Sequence, residues 1–205
     1  SGGLDGDGRL PGLGVLLAHW NTDVEDLCRL LSSNDASPDV RRIAIDGLGM
    51  HSKPKDSKVV ETLVRAIGDQ EPSVRRAAAM ALGRVGNEAA PSTLISGLQA
   101  DQNGDPFLRD GYLRALERLG KPGIDALLSL ATSGDKDRDL AVEAFLALRT
   151  KAAADALPEM LLQPDLSIAQ REGLIRSFTN YQFEPPISLD PLAEYLARRP
   201  NEPAS

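Results

Sequence analysis

A 34-residue internal repeat constrains this chain more than any other feature. The stretch Asp69-Gln70-Glu71-Pro72-Ser73-Val74-Arg75-Arg76-Ala77-Ala78 lies 34 positions after Asp35-Ala36-Ser37-Pro38-Asp39-Val40-Arg41-Arg42-Ile43-Ala44. Asp, Pro, Val, Arg, Arg and Ala stand at matching places, and Leu48-Gly49 recurs as Leu82-Gly83. A second step of 34 reaches Asn103, Pro106, Leu108, Arg109, Tyr112 and Leu116. Weaker copies start at Asp135 and Asp165, after steps of 32 and 30, with Leu140, Ala144, Leu148 and then Gln170, Leu174, Phe178 in the apolar places. A unit this short cannot bury its own apolar face, so neighbouring copies must stack.

Each copy repeats one physical plan. An acidic or amide residue in a turn is expected to cap the helix that follows. The first helix carries apolar residues four apart, as in Val74, Ala78 and Leu82. Glycine is expected to end it, at Gly49, Gly83, Gly86 and Gly120. A second helix follows: Val60, Leu63, Val64 and Ile67 in one copy, Ile124, Leu127, Leu128 and Ala131 in another. Composition agrees. Aromatics are 4% of the chain, so the core must rest on Leu, Ala, Val and Ile, and the few β-branched runs leave little for a sheet.

The pattern, from about Asp35 to Tyr181, resembles the HEAT-repeat family, in particular the short bacterial HEAT-like repeats also seen in bilin lyases. The resemblance implies an all-α fold, a right-handed α-α superhelix of about five helical hairpins with capping helices. It also implies a ladder in which a turn Asp and an Arg six residues later link successive repeats. The matching residues are Asp35 and Arg41, Asp69 and Arg75, Asn103 and Arg109, Asp165 and Arg171; Ala141 replaces the arginine of the fourth copy. These charges are read as structural before they are read as ligand contacts.

The ends differ in character. Val24, Leu27, Leu30 and Leu31 read as the second helix of a partial first repeat, with Leu13 to Trp20 as its degenerate partner. Tyr181-Gln182-Phe183-Glu184-Pro185-Pro186 should redirect the chain, and Pro191 to Arg198 should form a last sealing helix. The expected organisation is a flexible linker over 1–12, one solenoid domain over 13–198 and a tail over 199–205. The start without methionine and the proline-rich end suggest a segment of a longer polypeptide. Repeats of this type recur in long bacterial chains beside dehydrogenase and c-type cytochrome domains; the compartment is left open between the cytoplasm and, for part of a redox protein, the periplasm.

Signs of chemistry are scarce. His19 and His51 have no His or Cys at ligand spacing and form no His-Glu pair of the kind that holds di-iron in some HEAT-repeat enzymes. Asp5-Gly6-Asp7-Gly8 opens like a calcium loop, but Leu10 and Gly14 stand where that loop needs glycine and glutamate. Cys28, the one cysteine, sits in an apolar helical stripe and reads as a packed thiol. Nucleophile, phosphate-loop and dinucleotide signatures are missing, so no catalytic residue, cofactor or metal is assigned. Arg41-Arg42 and Arg75-Arg76 recur with the period, and the second of each pair reads as solvated helix surface. A net charge of −7 opposes general binding to nucleic acid or an anionic membrane.

The expected function is therefore a non-catalytic protein-binding or scaffold module, acting as a monomer on a protein, a peptide or neighbouring domains of the same chain. The alternatives are a bilin-lyase-like enzyme or accessory, for which so few aromatics make a poor tetrapyrrole lining, and a HEAT-like protein that holds the DNA backbone. In such stacks the second helices usually line the concave side. The candidate face is Lys58, Glu61, Arg65, Ser92, Ser96, Gln99, Asp125 and Ser129.

Overall fold

The computed structural model describes residues 6–101, 104–148 and 150–179, with Asp190, Ala193 and Ala197. Among these residues there are eleven α-helices and no strand. The chain divides into two compact units, Ser1–Leu119 and Gly120–Ser205.

The first unit holds α1 (Gly6–Leu17), α2 (Thr22–Asn34), α3 (Pro38–His51), α4 (Ser57–Ala66), α5 (Pro72–Val85), α6 (Ala90–Ala100) and α7 (Pro106–Arg118). Pro38, Pro72 and Pro106 each open a helix. Proline suits that place because its fixed φ is already helical and its missing N–H has no partner there anyway. These proline-led helices are the first helices of the copies, and α3, α5 and α7 stack closely side by side. The second helices α2, α4 and α6 form the other layer, each against the following first helix: α2 on α3, α4 on α5, α6 on α7. Contact within this second layer is much sparser. Val74, Ala78 and Leu82 are wholly buried between the layers, as are Ala44, Leu48 and Leu63.

The close approach of the first helices has a residue-level cause. Gly49 and Gly83 do not end α3 and α5, contrary to the sequence expectation; both lie inside those helices. A Cβ on Gly49 would meet Ala81 Cβ at 2.6 Å and its Cα at 2.8 Å. A Cβ on Gly83 would meet Ala115 Cα at 2.8 Å and its carbonyl oxygen at 3.0 Å. The recurring glycines are notches into which the next first helix fits. Gly86 is the C-cap of α5, and Gly120, at φ +67°, is the N-cap of α8.

Other details also depart from the sequence reading. Asp35 and Asp69 do not cap the helices that follow them; each accepts a hydrogen bond from the backbone N–H two residues on, Ser37 and Glu71, and shapes the turn. Side-chain caps come instead from Asn21, Asp56, Asp105 and Thr150. In α4 the buried valines are Val59 and Val60, and Val64 is 37% exposed. In α2 the buried stripe is Val24 and Cys28, whereas Leu30 is 59% exposed. Residues 6–12 are helical, with Leu13 of the same helix buried, so the expected boundary at residue 13 falls within α1.

The second unit holds α8 (Lys121–Ala131), α9 (Asp135–Ala147), α10 (Lys151–Leu161) and α11 (Ile168–Thr179). It has the same two-layer plan, α9 beside α11 and α8 beside α10. Ile124, Leu127, Phe145, Met160 and Leu174 fill its core. The expected turn at Tyr181–Pro186 and sealing helix at 191–198 lie outside the described residues, apart from Ala193 and Ala197.

Candidate interaction surface

The periodic charges are placed by the turns between copies. Arg41 donates from Nε and Nη2 to Asp69 Oδ2 and Oδ1 at 2.8 and 2.9 Å, and from Nη1 to the carbonyls of Asp35 and Ala36 at 2.9 and 3.3 Å. Both side chains of the ion pair are well covered, 14% and 12% exposed. Arg75 repeats the carbonyl half of the pattern, donating to Asp69 and Gln70 at 2.9 Å each. Arg171 donates to the carbonyls of Gln163 and Pro164. Each arginine thus ties the turn before its own helix. The carboxylate partner, where there is one, comes from the following copy. Burial pushes the Asp69 carboxyl up, but the Arg41 hydrogen bonds, the Glu71 N–H and the Arg41 and Arg75 charges outweigh it and hold the group below the usual carboxylate range.

Two members of this arrangement escaped the sequence reading. Arg9, in the segment read as linker, pairs with Asp35. Arg138 pairs with Asp165 at 3.2 Å, from a position one helical turn before Ala141. The spacing from arginine to the next copy's aspartate is 26, 28 and 27 residues in the three pairs; a search on that spacing would have found both. Asn103 lies outside the described residues. Arg109 is half-buried on α7.

The second arginines do not form a free stripe. Arg42 lies between Asp39 and Asp46 of its own helix, at 3.6 and 3.5 Å. Arg76 donates from Nε to the Phe107 carbonyl at 3.0 Å and lies 3.7 Å from Asp110, while its Cγ fills the space a Cβ on Gly111 would need. It tethers α5 to the start of α7, although 43% of its side chain is exposed.

The sparse contact between second helices leaves open space. A groove of about 410 Å³ lies between α2 and α4, and Lys58, Glu61 and Arg65 line it. A second, of about 420 Å³, lies between the end of α4 and α6, where Thr93 and Ser96 meet Arg75, Asp101 and Tyr112. Tyr112 is buried, its ring packed against Gly97; burial raises its hydroxyl's pKa against the pull of Arg75. Asp101 Oδ2 is buried with no hydrogen-bond partner among the described residues. Ser92 and Gln99 are exposed on α6. Asp125 and Ser129 are exposed on α8 of the second unit, where Asp125 pairs with Lys121 of its own helix at 2.7 Å. Among the described residues, several hydroxyls of this row hydrogen-bond only locally: Thr62 to the Lys58 carbonyl, Thr93 to Ala89 and Ser96 to Ser92.

A third cavity, about 390 Å³, lies between the start of α2 and the end of α3, lined by Trp20, Glu25, His51 and Lys53. His51 stacks on Trp20, ring centroids 5.0 Å apart, and Ser52 donates to Glu25 at 2.9 Å. Cys28 is fully buried, and burial, helped by Glu25, pushes its thiol up to about 11. Among the described residues no group of three or more His, Cys, Asp or Glu side chains is arranged to hold a metal ion. No described helix is long and apolar enough to cross a membrane.

Residues 24–106, which span α2 to the start of α7 and carry the Gly49–Ala81 notch and the Arg41–Asp69 pair, match the family model for HEAT repeats. Over that stretch the chain carries HEAT repeats. A comparison with curated proteins finds no match. HEAT repeats commonly mediate protein–protein interaction or scaffolding, and the family is generally non-catalytic.

Proposed function

We propose that this HEAT-repeat chain is a non-catalytic scaffold that holds a protein, a peptide or a neighbouring domain through the row formed by α2, α4 and α6. The observation that carries the reading is the unequal use of the two layers. The first helices interlock through Gly49 and Gly83 and are tied across copies by Arg41 and Arg76. The second helices stand apart and leave grooves whose hydroxyls bond only locally, so a partner can recruit them without breaking the stack. The same reading takes the chain as a monomer that does not bind nucleic acid, in line with its net charge of −7.

Site-specific photo-cross-linking tests it. A photoreactive side chain at Glu61 or Ser92, both exposed on second helices, is expected to give discrete adducts in cells that make the natural protein. The same group at Asp39 or Ser73, exposed on first helices, should give none. Adducts of equal strength from both layers, or from the first helices alone, contradict the reading.

A further inference from the structure

We propose that the groove between α2 and α4 receives an acidic peptide segment that carries an aliphatic side chain. This rests on the reading of the second-helix row as the interaction face and gives its partner a chemistry. Two features of the groove point the same way. Leu30 lines it from α2 and is 59% exposed, an apolar contact left without cover. Around it stand three cations, Arg29, Lys58 and Arg65, against two carboxylates, Asp26 and Glu61. A chain of net charge −7 thus presents a groove of the opposite sign.

Two of the cations, Lys58 and Arg65, are also available. Lys58 makes no ion pair with a carboxylate among the described residues. Arg65 pairs with Glu61 at 3.0 Å on an exposed helix face, and Arg29 pairs with an exposed Asp26. An exposed pair such as Arg65–Glu61 contributes little, so Arg65 can turn to an incoming carboxylate at small cost. Arg29 is more covered, 25% exposed, and adds positive charge to the wall of the groove. The groove volume, about 410 Å³, suits a few side chains of an extended or helical segment. The exposed Leu30 in the same lining offers an aliphatic contact that a sugar–phosphate backbone cannot use, which favours a peptide over a nucleic-acid strand.

The test is selection of random peptides displayed on phage against the 205-residue chain, followed by affinities for the winners. The expected winners place Asp or Glu within a few residues of Leu, Ile or Val. Their binding should weaken about tenfold with Lys58→Glu and with Leu30→Asp, and should fall as salt is added. Both substituted positions are exposed, and unchanged circular dichroism confirms that the variants fold; Lys58→Gln should give a smaller loss of the same sign. Basic or uncharged winners, or acidic winners indifferent to Lys58→Glu, overturn the groove proposal and leave the wider interaction reading standing. No enrichment of any peptide also overturns it, and the cross-linking pattern then decides separately whether the row holds a folded partner. Preferential binding of a single-stranded oligonucleotide over the acidic peptides would overturn both the chemistry and the class of ligand.

Discussion

Gly83→Val is expected to lower the stability of the first unit by about 3 kcal/mol. Gly83 is buried in the last turn of α5, and any Cβ there would lie 2.8 Å from Ala115 Cα and 3.0 Å from its carbonyl oxygen. Those atoms belong to the backbone of α7, so no side-chain rotation can relieve the contact; one helix must move. Valine adds two further methyls and a β-branched constraint on χ1. Intrinsic propensity pulls the other way, because glycine within a helix is worse than alanine by roughly 1 kcal/mol. Gly83→Ala should therefore show a smaller net loss. Gly12→Ala in α1, where nothing lies within 4 Å of the new Cβ, should show none or a slight gain. Urea unfolding followed by the single tryptophan, Trp20, reports on this unit. A Gly83→Val variant within about 0.5 kcal/mol of the parent, the range of ordinary surface changes, would mean that α5 and α7 do not touch at that point.

Asp69→Asn should cost roughly 1.5–3 kcal/mol near neutral pH, the range for hydrogen bonds to charged groups. Of the two charge-assisted bonds from Arg41, one is lost because the amide offers a single acceptor oxygen, the other is weakened, and Arg41 loses its counter-charge while largely covered. The dependence on pH has a definite sign. The folded Asp69 carboxyl is held below its unfolded value, which for aspartate is about 3.9. Its stabilisation is therefore complete above that value and disappears as pH falls through the lower folded value. Parent and variant should differ at pH 7 and converge in acid. A gap that widens on acidification, or equal stability at pH 7, contradicts the assignment.

The sequence made the repeat plain because stacking needs the same turn, proline and apolar contact in every copy. Val74, Ala78 and Leu82 are buried as their spacing required. The glycines were harder. A glycine near a helix end and one inside a helix look alike in sequence, and only the position of Ala81 and Ala115 on the next helix shows which Gly49 and Gly83 are. The segment before Leu13 looked like linker because glycine lowers helix propensity; the burial of Leu13 and the Arg9–Asp35 pair accompany a helix there.

On the surface, single-sequence patterns say less still. Leu30 and Leu31 are adjacent apolar residues of one helix, yet Leu31 is half-buried and Leu30 faces a groove. Arg42 and Arg76 share a register, but Arg42 is held by its own helix and Arg76 by the next copy. Lys58, Glu61 and Arg65 were legible as one face because they recur at 3–4-residue spacing on α4. The groove they line was not, since its width depends on how far α2 stands from α4.

Amide hydrogen exchange of the free chain and of its complex with a selected peptide tests the division between the two layers most directly. The account predicts the slowest exchange of the free first unit in α3 and α5, and added protection on binding confined to α2, α4 and α6. Protection that falls instead on α3, α5 or α7, with α2 and α4 unchanged, would contradict it.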